Sequence, residues 1–313
     1  MERQLIDYLT KHLPSSDDLL VGIGDDAAIL DWRTRDDLVV TSDMITDQID
    51  FILADADPKL IGRKALAVNL SDLAAMAAQP VGVIVSLLLP STHSKFSSID
   101  PYELALQLYQ GILPLAQQYD VVIAGGDTNC WNGPLAINIT AFGAMQGNIP
   151  WLRCNAQAGD HLLVTGTLGG SILKKHFEFT PRVNEALSLR QQFNISTAMD
   201  ISDGLSLDLS RICRASKVGV ELLVDQIPIS VDAQQLSLQD KDQLSPLEHA
   251  LQDGEDFELL LAASPTEATR IIESNNLSCP ITHIGYFTKE LGLYSIDTES
   301  QRSKLVPQGF VHQ

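Results

Sequence analysis

Positive charge is scarce in this sequence. The 313 residues include 21 Lys and Arg against 40 Asp and Glu, which gives a formal net charge of −19 at pH 7. Binding to nucleic acid or to an anionic membrane surface depends on basic side chains that neutralise phosphates. We therefore expect neither a nucleic acid nor a membrane as a partner. An acidic protein that handles phosphates needs divalent cations as a bridge, although acidity also serves solubility alone.

Cysteine is also rare, and no two cysteines form a CxxC pair. The four are Cys130, Cys154, Cys213 and Cys279. Their wide spacing indicates neither a zinc framework nor a disulfide scaffold, so we expect a reducing, cytoplasmic location. Residues 1–14 have the pattern of an amphipathic helix rather than of a signal peptide. The uncharged stretch 73–90 is interrupted by Gln79, Pro80 and Gly82, which argues against a transmembrane segment.

Common catalytic motifs are missing as well. The sequence has no GxxxxGK[ST] phosphate loop, no protein-kinase motif set, no GxSxG nucleophile elbow and no HExxH zinc motif. Residues 22–27 match the dinucleotide fingerprint GxGxxA, but Asp25 and Asp26 inside that loop would repel a pyrophosphate. A metal-binding loop suits these residues better. Any nucleotide chemistry must therefore depend on a different set of side chains.

The pattern of apolar residues predicts an α+β protein of two domains. With 313 residues, of which 45% are hydrophobic, the chain can form two cores. Turn residues at 147–150 mark the boundary between the predicted domains 1–149 and 150–313. We predict strands at 19–21, 38–41, 81–89, 121–124, 135–145, 161–166, 197–199, 218–224, 256–263 and 280–287. We predict helices at 1–14, 58–78, 100–119, 168–177, 183–193 and 203–216.

Aspartates recur at predicted strand ends and helix starts, often beside glycine. The set is Asp25, Asp26, Asp43, Asp72, Asp127, Asp200 and Asp203, and a further acidic group lies at 254–256. If strand ends bring these carboxylates together, they repel one another unless cations neutralise them. Mg²⁺ prefers such hard oxygen ligands and bridges them to substrate phosphates. Taken singly, each aspartate also fits a turn or a helix N-cap.

Two adjacent glycines precede one of these aspartates. Gly125 and Gly126 follow an apolar strand and lead to Asp127 and Thr128. Adjacent glycines allow backbone N–H groups to approach phosphate oxygens closely, and Asp127 can hold a cation on those oxygens. A plain turn explains the same four residues, so the pattern alone leaves both interpretations open.

In combination, six segments resemble the thiamine-monophosphate kinase family, within the aminoimidazole ribonucleotide synthetase-like superfamily. They are 22–26 (GIGDD), 42–43 (SD), 64–76 (KALAVNLSDLAAM), 125–128 (GGDT), 200–205 (DISDGL) and 254–259 (GEDFEL). The resemblance implies a two-domain α+β fold with mixed and antiparallel sheets flanked by helices. It also implies a homodimer, with ATP and Mg²⁺ bound by the N-terminal domain at the dimer interface. The implied reaction is direct in-line phosphorylation of thiamine monophosphate to thiamine diphosphate.

The resemblance also implies a role for individual residues. The implied metal ligands are Asp26, Ser42, Asp43, Asp72, Asp127, Asp200 and Asp203. The implied ATP contacts are Tyr109, Gly126, Asp127, Arg153 and Ser202. The implied contacts to the acceptor are Asp50, Glu255 and Phe310. Asp127 and Asp203 are the predicted catalytic residues, and they would act by placing cations.

Two positions depart from the family pattern near the expected acceptor. Asp50 stands where the family commonly has His, and Pro307 stands where it has an aromatic residue, often Trp. Phe310 can partly replace that ring. The main alternative is therefore a related superfamily enzyme that acts on a different small acceptor. A nucleotide-binding protein without turnover and a metal-dependent phosphatase are two further alternatives.

Overall fold

The computed structural model of the protein, which describes residues 2–13, 17, 19–21, 29–33, 35–239, 243–274 and 277–311, has two compact units. The first unit consists of Met1–Leu73 with Ala78–Asn148, and the second of Ala74–Ala77 with Ile149–Gln313. Each unit combines helices with its own sheet, so the predicted α+β class is confirmed. The roles predicted for the two domains remain predictions.

The described residues of the first unit form three helices and a four-stranded sheet. The helices are α1 (Glu2–His12), α2 (Pro58–Ala75) and α3 (Pro101–Gln118), and the strands are β1 (Leu19–Val21), β2 (Ile29–Leu30), β3 (Leu38–Thr46), β4 (Gln79–Pro90), β5 (Val122–Trp131) and β6 (Ala136–Ala144). The sheet has the order β3-β6-β4-β5 and is antiparallel except for the pair β4 and β5. Strands β1 and β2 form a separate antiparallel pair.

Helices α2 and α3 cross at two glycines. A Cβ added to Gly62 would lie 2.0 Å from the carbonyl oxygen of Leu108, and one added to Gly111 would lie 1.8 Å from that of Lys59. The two backbones can approach this closely only because neither glycine has a side chain. Pro114 lies inside α3 without ending it, so the helix continues to Gln118.

The two faces of the four-stranded sheet differ in burial. Strand β6 alternates between Ile137 and Ile139, which are fully buried, and Asn138, which is partly exposed. On β3, by contrast, the side chains of Val40 and Met44 are 54% and 61% exposed. One face of the sheet therefore packs against helices. The other face carries exposed side chains and is here called the open face.

The second unit contains shorter helices and a larger sheet in its described residues. The helices are α4 (Lys175–Glu178), α5 (Val183–Gln192), α6 (Leu205–Ser216), α7 (Val231–Leu238), α8 (Pro246–Gln252) and α9 (Pro265–Glu273), with short 3-10 helices at Ser171–Leu173 and Val224–Gln226. The strands are β7 (His161–Thr165), β8 (Thr197–Asp200), β9 (Gly219–Leu223), β10 (Leu259–Ala263), β11 (Ile281–Thr288), β12 (Leu293–Ile296) and β13 (Arg302–Lys304). The seven-stranded sheet that they form has the order β13-β12-β9-β11-β7-β10-β8, with only β9 and β12 parallel.

Helix α6 packs its apolar side against this sheet. Leu205, Leu209 and Ile212 are buried in one core cluster with Val164 of β7 and Leu260 of β10. The helix is thereby fixed on the sheet with its N-terminus next to the end of β8. In the part of the chain that the structure describes, no helix is long and apolar enough to cross a membrane.

Strands β3 and β5 are longer than predicted, and this corrects the expected positions of two aspartates. Strand β5 continues through the glycine pair to Trp131, so Asp127 lies within the strand rather than after it. A Cβ on Gly126 would lie 1.9 Å from the carbonyl oxygen of Val85, so this glycine permits close strand pairing and does not end the strand. Asp43 likewise lies in the middle of β3.

Two predicted elements of the second unit also differ from the structure. The predicted helix 168–177 starts later, because Gly169 and Gly170 have φ of 84° and 75°, and it is divided into a 3-10 helix and α4 at Lys174, whose backbone is not helical. Strand β10 begins at Leu259 rather than at 256, because Phe257 has a φ of 50°, which is incompatible with a strand.

Replacing Gly111 by Ala tests the helix crossing. Ala normally stabilises a helix interior relative to Gly, by about 0.5–1 kcal/mol. Here the added methyl group meets a backbone carbonyl, so we expect Gly111→Ala to lower the free energy of unfolding by about 1–3 kcal/mol. Gln110→Ala, at the exposed neighbouring position, is the control. Denaturant unfolding of the two variants measures the difference, and a stabilised Gly111→Ala variant would contradict the close crossing.

Candidate active site

Asp43 and Asp72, here called the carboxylate pair, lie together on the helix-covered side of the first sheet. The Thr41 hydroxyl donates a hydrogen bond to Asp72 on α2. Asn69, one turn earlier on α2, accepts a hydrogen bond of 3.2 Å from the Asp43 backbone N–H. Burial, followed by the charge and hydrogen bond of Asp72, raises the pKa of Asp43 to about 7. Two carboxylates this close must share a proton or be neutralised by a cation.

Asp50 lies close enough to Asp43 for their charges to interact. Its charge contributes to the raised pKa of Asp43, after the larger effects of burial and Asp72. Its carboxylate accepts a hydrogen bond of 2.6 Å from the backbone N–H of Thr46 and thereby closes the turn after β3. Its carbonyl oxygen accepts a hydrogen bond of 2.7 Å from the buried Nζ of Lys64. A predicted acceptor contact thus interacts electrostatically with a predicted metal ligand.

The side chain of Ser42 points to the other side of the sheet. Its Oγ lies 3.0 Å from the Thr140 hydroxyl and accepts a hydrogen bond of 3.1 Å from the Asn138 amide. Consecutive residues of a strand face opposite ways, so Ser42 is on the open face while Asp43 is on the covered one. The predicted ligand set would place the Ser42 side chain beside the carboxylate pair. The structure instead places it on the opposite side of the sheet.

Asp127 lies on the open face, at the far edge of the sheet. The strand register aligns it with Ser86 of β4 and Asn138 of β6. Because neighbouring strands are about 4.8 Å apart, β5 is about 14 Å from β3. The Asp127 carboxylate accepts a hydrogen bond of 2.8 Å from the Thr128 backbone N–H. Asp127 thus shares the open face with Ser42 and lies apart from the carboxylate pair.

Two predicted ATP contacts differ in accessibility. Tyr109 is only 3% exposed within α3, and burial raises the pKa of its phenol. Arg153, in the second unit, is exposed, and its carbonyl oxygen accepts a hydrogen bond of 2.8 Å from the Ser216 hydroxyl. Their contacts to ATP remain predictions.

Residues 200–204, here called the aspartate loop, are shaped by a carboxylate that sequence reasoning missed. One oxygen of Asp208 accepts hydrogen bonds from the backbone N–H groups of Ser202 (3.0 Å), Asp203 (2.9 Å) and Gly204 (3.1 Å). Arg211 forms ion pairs with both Asp208 and Asp203. Burial raises the pKa of Asp208 to about 6, against the opposing effect of these donors. The side chain of Asp203 is therefore held in a fixed place.

Two distant segments attach to successive carbonyl groups of the aspartate loop. The backbone N–H of Glu255 donates to the Ser202 carbonyl at 2.7 Å, and that of Phe310 donates to the Asp203 carbonyl at 2.9 Å. Glu255 has a φ of 62°, and its carboxylate is 3.5 Å from Nδ1 of His176. The second unit thus brings together predicted site residues from three distant segments, namely Ser202 and Asp203, Glu255, and Phe310.

A buried ion network supports the segment that follows Glu255. Asp256 is fully buried and accepts a hydrogen bond of 2.9 Å from the Gly169 backbone N–H. Glu258 accepts two hydrogen bonds of 2.7 Å from Arg182 and lies 3.0 Å from Nζ of Lys175. Burial raises the pKa of Asp256 to about 7, with Lys175 opposing the shift. Acidic residues inside the apolar run DFELLL are the sequence signal for such a network.

The predicted metal ligands do not form one cluster in the parts that the structure describes. No three His, Cys, Asp or Glu side chains among the described residues are arranged to hold a metal ion together. Asp26, like Asp25, lies outside the described residues. Asp200 is buried at the end of β8 and begins the aspartate loop. Asp127 and Asp203 belong to different units, and each is described within its own.

Family models place this fold and these segments in a known class. The model described as AIR synthase related protein, N-terminal domain, matches residues 24–145, and the model for the C-terminal domain of the same proteins matches residues 157–297. The two matches together cover most of the chain. The protein therefore has the two-domain fold of the AIR synthase related proteins.

Similarity to individual proteins identifies the family within this class. Thiamine-monophosphate kinase from Rhodopirellula baltica is 43% identical over 100% of this chain and 97% of its own length. The crystal structure of thiamine-monophosphate kinase from Stenotrophomonas maltophilia K279a has a TM-score of 0.77 and 33% identity, covering 93% of this chain and 94% of that one. AaThiL complexed with AMPPCP and TMP has a TM-score of 0.74 and 25% identity, covering 98% and 96%. The chain belongs to the thiamine-monophosphate kinase family, which confirms the resemblance of its six segments.

Replacing Asp208 by Asn tests the support of the aspartate loop. The amide presents one acceptor oxygen and an NH₂ group, so either the three backbone donors lose their acceptor or Arg211 loses one of its two partners. We expect Asp208→Asn to lower the free energy of unfolding by about 1–3 kcal/mol. Asp232→Asn, also in the first turn of a helix but without these bonds, is the control. Denaturant unfolding that gives equal stability for both variants would contradict this role.

Proposed function

We propose that this protein is a thiamine-phosphate kinase that transfers the terminal phosphoryl group of ATP to thiamine monophosphate. The observation that carries the proposal is the 43% identity over the whole chain to a relative named thiamine-monophosphate kinase. AaThiL, which matches this fold over 98% of the chain, was solved with AMPPCP, an ATP analogue, and TMP. Both substrates of the proposed reaction are thus represented in a protein of the same fold.

The proposed reaction is a direct in-line transfer. A phosphate oxygen of thiamine monophosphate forms a bond to the γ-phosphorus while the bond from that phosphorus to the β,γ-bridging oxygen breaks, and ADP leaves with the electron pair. The acceptor phosphate is already anionic at neutral pH, so no strong general base is needed. Asp127 and Asp203 therefore act as neither nucleophile nor base. Catalysis depends on position and on charge neutralisation.

The chemistry of the carboxylate pair fits Mg²⁺. Asp43 and Asp72 are adjacent and only partly exposed, and their proximity contributes to the raised pKa of Asp43. In proteins Mg²⁺ commonly takes one or two carboxylates and completes its ligand shell with water and substrate phosphates. A bound ion would neutralise charge on the transferred phosphoryl group. Ser42 and Asp127 lie on the opposite face of the sheet from the carboxylate pair, so we propose them, with Asp26, Asp200 and Asp203, as ligands of further ions.

The second unit supplies the proposed contacts to both substrates. Ser202 and the exposed Arg153 are proposed to bind ATP, in addition to Gly126 and Tyr109 of the first unit. Glu255 and Phe310 are proposed to bind the acceptor, in addition to Asp50. Support comes from the attachment of both Glu255 and Phe310 to the aspartate loop. Within the second unit, Glu255 and Phe310 thereby share one support with Ser202 and Asp203.

We also propose that the protein is a homodimer that buries the open face of the first sheet. The exposed apolar side chains of this face are Leu38 (51%), Val40 (54%), Met44 (61%) and Ile84 (38%). They lie on β3 and β4, which pair with β6 on either side, and they alternate with less exposed residues, so they form part of one surface. A second copy of the same face is the proposed occupant, as the family resemblance implies. A cytoplasmic location is also proposed, since the four cysteines, Cys130, Cys154, Cys213 and Cys279, all lie within the described residues and none of them forms a disulfide there.

A coupled ADP-release assay over a panel of acceptors tests the proposed function. We expect ADP release with thiamine monophosphate and none without an acceptor. Release with another phosphate, carboxylate or amide instead would support the alternative suggested by Asp50 and Pro307. Inorganic phosphate released without an acceptor would indicate a phosphatase, and ATP binding without turnover would indicate a binding protein.

Charge-removing substitutions test the proposed metal ligands. We expect Asp72→Asn and Asp127→Asn each to reduce kcat at least about 100-fold, because charge neutralisation on the phosphoryl group would be lost. Asp120→Asn is the control, because it removes the same charge from a left-handed turn position of the same unit that Asn accepts readily. Thermal unfolding checks that the fold is intact. Near-normal turnover in either site variant would remove that residue from the proposed ligand set.

A charge on the open face tests the homodimer. We expect Met44→Glu to convert a dimer into a monomer, because a carboxylate would be buried without a partner at the interface. Analytical ultracentrifugation measures the change. Leu291→Glu, which charges an exposed apolar position of the second unit, should leave the dimer intact. Sedimentation of Met44→Glu as a dimer, or of the unaltered protein as a monomer, would contradict the proposed interface.

A further inference from the structure

Residues 306–311, here called the tail, are bound to the N-terminal end of helix α6. The Ser206 hydroxyl donates a hydrogen bond of 2.8 Å to the Gln308 carbonyl and accepts one of 3.0 Å from the Gln308 backbone N–H. Ser206 is only 1% exposed. One buried side chain therefore satisfies both polar backbone groups of Gln308, whose own side chain is exposed.

The residues after Gln308 approach the aspartate loop directly. A Cβ added to Gly309 would lie 2.2 Å from the carbonyl oxygen of Asp203 and 3.0 Å from the Cβ of Leu207. The backbone N–H of Phe310 then donates to the same Asp203 carbonyl at 2.9 Å. The tail can reach this carbonyl only with glycine at position 309 and only in the register that Ser206 sets.

The attachment of Glu255 has the same form. A Cβ added to Gly254 would lie 2.6 Å from the Ser202 carbonyl oxygen, to which the Glu255 backbone N–H donates at 2.7 Å. In both segments a glycine lies against a carbonyl group of the aspartate loop, and the next residue, a proposed acceptor contact, donates a hydrogen bond to that carbonyl. The two carbonyl groups belong to successive residues of the loop. Any shift of the tail or of this loop is transmitted to the other, because a shared hydrogen bond joins them.

We propose that Ser206 is a positioning residue for the acceptor site, which places Phe310 against the aspartate loop through its two hydrogen bonds to Gln308. This inference rests on the proposed function and adds the residue that couples the acceptor side of the site to the predicted metal loop. Ser206 touches neither substrate nor metal in this account, so its removal affects the acceptor through the tail alone.

Ser206→Ala is the direct test. Loss of the two hydrogen bonds should raise KM for the acceptor that supports turnover by about three- to ten-fold, with little change in kcat or in KM for ATP. Hydrogen exchange of the Gln308 and Phe310 amides should become faster in the free enzyme. Ser210→Ala on the same helix, whose hydroxyl bonds only to the Leu207 carbonyl, and Gln308→Ala, which keeps the backbone bonds, are the controls.

A variant that ends at Leu305 shows whether Ser206→Ala acts through the tail or through a general effect on helix α6. Truncation should raise the acceptor KM at least as much as Ser206→Ala, and Ser206→Ala should add nothing in the truncated chain. An additive effect, or unchanged acceptor KM despite faster amide exchange, would overturn the proposal. No turnover by the unaltered enzyme would contradict the proposed function instead, and unchanged tail amide exchange in Ser206→Ala would by itself overturn the placement of the tail.

Discussion

Repulsion between carboxylates brought together by the fold is the constraint on which this structure depends. In the first unit, strand β3 and helix α2 hold Asp43 and Asp72 side by side, and burial together with the charge of Asp72 raises the pKa of Asp43. A fold that served stability alone would place apolar residues at these positions. The arrangement makes physical sense for a protein that binds divalent cations together with phosphates.

The second unit handles its acidic residues differently. Asp208, Asp256 and Glu258 are buried, but each accepts hydrogen bonds from backbone N–H groups or from basic or hydroxyl side chains. These carboxylates shape loops rather than face ligands. Their bonds hold the aspartate loop and the segment at Glu255 in place, so that the exposed groups of the proposed site rest on a fully hydrogen-bonded support.

The sequence predicted the fold class and most elements, because apolar periodicity and proline starts are local signals, and it predicted the family from six motif segments. The structure places Asp43 and Asp72 close together, as expected, while their role as metal ligands remains a prediction. The sequence could not predict that Ser42 and Asp43 face opposite ways, since this depends on β3 continuing past 41 as a regular strand. Nor could it place Asp208 or Ser206 in the site, because their partners are backbone groups that only the folded loops bring within reach.

Formation of thiamine diphosphate is the measurement that tests the central claim most directly. Purified protein is incubated with ATP, Mg²⁺ and thiamine monophosphate, and the products are separated by chromatography. The account predicts thiamine diphosphate and ADP in equal amounts, and neither product when Mg²⁺ is removed by a chelator. ADP without thiamine diphosphate, or thiamine monophosphate left unchanged while ATP is consumed, would contradict it.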